Sequence, residues 1–129
     1  MQACSVTVFS TTDGEEKKFK ADGEWLLSSD KMEVRYTDGS SQVGLSVTDG
    51  RADLSRTGEY TLFLPLRTGE RSVGSIGIGG SSGNVEISTK KISFETNTDE
   101  AVFFAEYALH FGKEIQRMKL RVKARKKDL

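Results

Sequence analysis

The chain has one histidine, His110, and one cysteine, Cys4. Within hydrogen-bond reach of each other they would form a nucleophile and its base. A multi-histidine metal site is excluded, and a zinc site would have to draw its remaining ligands from carboxylates. The simpler reading is an apolar cysteine on a terminal strand and a strand-end histidine beside Gly112. The stretch Gly77-Ile78-Gly79-Gly80-Ser81-Ser82-Gly83 has the look of a phosphate cradle. It lacks the Gly-Lys-Ser/Thr ending and the following helix that such a cradle needs. A flexible hairpin loop, placed to gate a barrel mouth, is the better expectation. No catalytic constellation, cofactor site or metal site is expected, so the chain reads as a non-enzyme.

Arg56 and Tyr36 share parity with apolar neighbours that should face a core. A buried guanidinium needs a partner, and Glu106 is the obvious candidate on a late apolar strand. The structural reading is a core ion pair or a residue at a barrel end. The functional reading makes Arg56, Tyr36 and Glu106 a ligand-binding set for the anionic head of a small, partly apolar molecule. A second candidate is the stripe Arg117, Lys119, Arg121, Lys123 and Arg125, extended by Lys126-Lys127. Such runs are mostly solvated faces that also guard a terminal strand against edge pairing. As a phosphate-binding stripe it would supply sequence-independent, salt-sensitive affinity for RNA or DNA. No aromatic residue is interleaved with it, which ranks nucleic acid below the internal ligand.

Those side chains sit in a chain of 129 residues, the length of one domain, taken as residues 1–129 with a basic end over 120–129. Nineteen basic residues balance nineteen acidic ones, so no global field attracts polyanions and only local patches can. The start Met1-Gln2-Ala3-Cys4 has no signal-peptide pattern, and no apolar run reaches the roughly 18 residues of a membrane span. With a lone thiol, the expectation is a cytoplasmic protein away from membranes.

The elements that must position these residues have a period of 2 nearly throughout. Cys4, Val6 and Val8 share one strand face; Met32, Val34 and Tyr36 alternate with Glu33 and Arg35, and Val43, Leu45 and Val47 answer them. Asp-Gly pairs at 13–14, 22–23, 38–39 and 49–50 read as tight turns, which glycine serves by tolerating φ > 0. Asp22-Gly23 has a second reading, a bulge inside one bent strand. Pro65 places its strand at an edge or turns that position away from a partner. A parity switch at Lys90-Lys91 predicts a bulge. Ala101 to Phe111 is apolar on both parities and is assigned to a strand rather than a helix. Met118, Leu120, Val122 and Ala124 point inward and the basic stripe outward.

Eight to ten consecutive antiparallel strands with short connections predict an all-β, up-and-down barrel. An eight-stranded barrel is filled by its own side chains or holds one small ligand. The segments Val47-Thr48-Asp49-Gly50, Leu54-Ser55-Arg56-Thr57-Gly58, Leu66-Arg67-Thr68-Gly69, Ser88-Thr89-Lys90-Lys91-Ile92 and Tyr107-Ala108-Leu109 occur in that order. In this order the chain resembles the bacterial DUF1934 family from about Val6 to Val122. The resemblance implies a calycin-like barrel, similar to lipocalins, and carries no activity over. The leading expectation is a barrel binding a small molecule inside. The alternatives are an interaction module with no internal ligand, in which a homodimer is one form, and weak RNA binding through the last strand.

Overall fold

The structure, a computed structural model, describes residues 1–28 and 30–127. Ten strands follow one another: β1 (Gln2–Thr12), β2 (Glu15–Leu27), β3 (Met32–Asp38), β4 (Ser41–Thr48), β5 (Arg51–Thr57), β6 (Tyr60–Arg67), β7 (Arg71–Ile78), β8 (Ser81–Thr96), β9 (Glu100–Phe111) and β10 (Glu114–Lys126). Each pairs antiparallel with the next, and β1 pairs with β10 to close the barrel. The all-β, up-and-down expectation therefore holds, at ten strands.

Alternation sorts the wall into two surfaces. Trp25, Val34, Leu45, Leu54 and Leu64 align across β2 to β6 as one inward row. Phe94, Phe103, Val122, Val8 and Phe19 make another across β8, β9, β10, β1 and β2. The small row Ala101, Ala124, Val6 and Ala21 lies beside it. Large and small rows side by side are the arrangement by which facing side chains interdigitate. Phe103, Met32, Leu64, Leu66 and Ile87 are among its fully buried members. The interior is thus occupied by side chains from all sides of the wall.

Three of the four Asp-Gly pairs lie at hairpin turns, as the type of turn demands. The fourth does not. Asp22-Gly23 lies inside β2, whose pairing with β1 runs in unbroken register from Thr12–Glu15 to Gln2–Trp25. Pairing with β3 begins at Gly23–Tyr36, so the strand is held on both edges there. A Cβ at Gly23 would strike the Arg35 carbonyl oxygen and come within 2.9 Å of the Val6 side chain. Close approach, not a turn or a bulge, is what requires glycine.

The switch at Lys90 is a bulge, with register shifting between Thr89 and Lys91. Pro65 lies in a closed wall with no edge, but the β6–β7 ladder ends at Phe63–Ser75, before it. Its missing N–H therefore breaks no bond to β7. Beyond it the gap is sealed by Thr89, whose hydroxyl accepts from the Arg67 N–H at 3.3 Å and whose carbonyl accepts from the Gly69 N–H at 3.0 Å.

Candidate functional site

Arg56 lies within the inward row Tyr36–Val43–Arg56–Leu62, near the end of β5 and so near the rim of the barrel. Its guanidinium donates to Asp38 Oδ2 at 2.9 Å and to the hydroxyl of buried Ser41 at 3.2 Å, and it stacks on Tyr60 with 5.0 Å to the ring centroid. The partner is therefore Asp38, across the β3–β4 hairpin, and not Glu106. Glu106 faces outward on β9, where it meets Lys90 at 3.5 Å. The three residues of the expected ligand-binding set do not converge: two are inside and one is outside.

Tyr36 packs against Phe19 with ring centroids 5.9 Å apart. Burial pushes its phenol well above the ordinary tyrosine range, the Asp38 carboxylate adds to the rise, and Arg56 opposes it. Burial alone pushes Tyr107 up to about 12. Both stay neutral at physiological pH. A groove of about 530 Å³ has Tyr36 in its wall, but it is built largely by Arg35, Thr37, Gln42 and Ser55 of the opposite parity. It is an outer groove, and Arg56 is not in it.

Cys4 and His110 do not meet. Cys4 is fully buried on the inward face, opposite Gly23 and Lys126. His110 is outward, next to the β9–β10 turn, with Nε2 2.9 Å from Ser88 Oγ. Desolvation pushes the Cys4 thiol up to about 11, with Lys127 partly opposing. The folded state then keeps a proton that the unfolded chain releases from about pH 8.5. This stabilisation is full below that pH and is lost as pH rises through the folded value, a change of about 2 kcal/mol by pH 10. Urea midpoints from pH 8 to 10 should fall more steeply for the parent than for Cys4→Ala. Parallel slopes would show that the thiol does not titrate in this way.

The glycine-rich stretch is the β7–β8 hairpin, with Ile78 paired to Ser81 around Gly79-Gly80. Gly79 supplies φ +61° for the tight turn.

On β10, Arg117, Lys119, Arg121, Lys123 and Arg125 all stand on the outer wall, with Leu120, Val122 and Ala124 buried between them. Of these five cations, Lys123 alone is in an ion pair among the described residues, with Glu100 at 3.3 Å. Register adds what the stripe itself lacks. Arg121 lies between Phe9 on β1 and Phe104 on β9, and Lys18 on β2 stands beyond Phe9. Lys18 lies over the Phe9 ring at 5.3 Å, while Arg121 and Lys91 each lie 5.9 Å from the Phe104 centroid. Two outer grooves flank this row. One, about 620 Å³, is lined by Lys18, Lys20, Lys123 and Arg125 together with Asp22; the other, about 720 Å³, by Lys90, Arg117 and Lys119 together with Asp13 and Glu106. Phe9, Phe104, Lys18, Lys20 and Lys91 had no signal in the local sequence, because only strand register assembles them.

The molecule is thus a closed ten-stranded antiparallel barrel with an apolar core inside and a basic stripe on its outer wall along β10. The family profile described as a domain of unknown function, DUF1934, matches residues 4–122, and the chain belongs to that family. Among solved structures it is similar to the ywiB protein from Bacillus subtilis, at 16% identity and a TM-score of 0.84, over 98% of this chain and 93% of that one. That likeness is one of fold. No curated protein matches the sequence. No helix among the described residues is long and apolar enough to cross a membrane.

Proposed function

We propose that the barrel is a non-catalytic nucleic-acid-binding module that uses the outer wall around β10. The observation that carries this reading is the row of five outward cations on one strand, four of them in no ion pair among the described residues, although Glu106 and Glu100 stand opposite Lys119 and Arg125 on β9. Successive outward side chains on a strand are about 6.8 Å apart, so the row offers a line of charge to a phosphate backbone. Lys18 and Lys20 on β2 widen it. Because the chain carries no net charge, attraction comes from this face and not from the whole molecule.

The internal-ligand reading rests on the calycin analogy, and Tyr36 and Arg56 in one inward row are its support. Against it stands the commitment of Arg56 to Asp38 and Ser41. A cytoplasmic location suits both readings, since a reducing compartment would keep Cys4 a free thiol.

The test is fluorescence anisotropy of a labelled mixed-sequence oligonucleotide at low salt. Parent protein should bind, and the triple variant Lys119→Gln, Arg121→Gln, Lys123→Gln should bind at least about tenfold more weakly, with a salt slope about 2 units shallower. Equal binding by both proteins would remove β10 from the site. Vesicles containing phosphatidylserine that bind as tightly as the oligonucleotide would show a generic anion surface instead.

A further inference from the structure

We infer that the face discriminates by strandedness: Phe9 and Phe104 are base-stacking platforms, and the occupant is single-stranded nucleic acid. This rests on the reading of the outer wall given above and specifies its ligand.

Two aromatic rings stand on the outer side of the wall. Phe9 and Phe104 have the parity of Thr7, Thr11, Val102 and Glu106, and each is only half-buried. The core does not need them, since the inward row beside each is complete with Val8 and Phe103. They occupy one transverse row, Lys18–Phe9–Arg121–Phe104–Ser93, two strands apart and so about 10 Å from each other along the sheet. Cations from Lys18, Arg121 and Lys91 lie 5.3 to 5.9 Å from the two ring centroids. Flexible lysines are easily displaced from a ring face, whereas the rings are anchored by the sheet beneath.

A face of charge alone favours a duplex, which packs one negative charge into about every 1.7 Å of axis. Aromatic rings on a sheet surface reverse that preference, because paired bases are stacked on one another and cannot reach a protein ring. Unpaired bases can. With Arg121 between the rings, the backbone would run along β10 while bases settle on either side, towards β1 and β9.

The experiment compares a labelled mixed-sequence 12-nucleotide RNA or DNA with the same strand annealed to its complement. The parent should bind the single strand more tightly. Phe9→Leu and Phe104→Leu keep apolar bulk on the sheet and remove the stacking surface. Each should weaken single-strand binding by about fivefold or more, and leave duplex binding within about twofold. Photo-crosslinking of a 5-iodouridine strand to the unmodified protein gives an answer even if a variant fails to fold. Crosslinks in the peptides bearing Phe9 or Phe104 are expected. Duplex binding as tight as single-strand binding, leucine variants that leave the single strand unaffected, or crosslinks confined elsewhere would overturn the stacking inference while the basic wall stands. Failure to bind either form at low salt would overturn both.

Discussion

Replacing Phe103 by alanine should cost about 3 to 5 kcal/mol, a large fraction of the roughly 5 to 15 kcal/mol that holds a domain of this size together. Phe103 is fully buried on β9 and meets Val122 and Phe94 on the two neighbouring strands. Removing its ring takes apolar area out of the core and leaves a cavity that a closed wall, tied on every edge, is poorly able to collapse. The urea midpoint should drop by about 2 M at a typical slope for small proteins. The next residue gives the control. Phe104 points outward, so Phe104→Ala should cost only about 1 kcal/mol, as a half-exposed surface change. Equal losses at the two positions would contradict the inside–outside assignment of β9.

The second large effect is on binding. If the five cations of β10 each meet one phosphate of a single strand, log K should fall with log salt at a slope of about −3.5. Between 50 and 200 mM salt the affinity then drops by about a hundredfold. Anisotropy titrations at four salt concentrations measure this directly. A slope near zero would mean that binding does not displace counterions, and the basic wall would lose its role.

How much of this was legible in the sequence follows from the distance over which each determinant acts. Asp38-Gly39 announces its hairpin because the chain's own geometry demands φ > 0 there, at Gly39. Asp22-Gly23 is the same dipeptide with a different cause: its glycine answers to the Arg35 carbonyl on another strand. The bulge at Lys90 was readable as a change of parity, which any alternating strand displays. The partner of Arg56 was not, because charge alone pointed to Glu106 while the β3–β4 hairpin brings Asp38 alongside. The basic stripe could be read from β10 by itself. Its aromatic flanks could not, since Phe9, Phe104 and Arg121 become neighbours only through the registers of β1 with β10 and of β10 with β9.

The seam that closes the barrel also sets the order in which the molecule can be made. Cys4 pairs with Lys126, so the closing ladder joins the first strand of the barrel to the tenth. The hairpins from β3 to β7 can form from local contacts as soon as they are synthesised. The wall cannot shut until β10 has emerged and the run from β1 to β10 has been drawn together, at an entropic cost that is met before the seam rewards it. Through that interval β1 and β9 have unsatisfied edges, and the charges of β10 arrive last, on the strand that covers both.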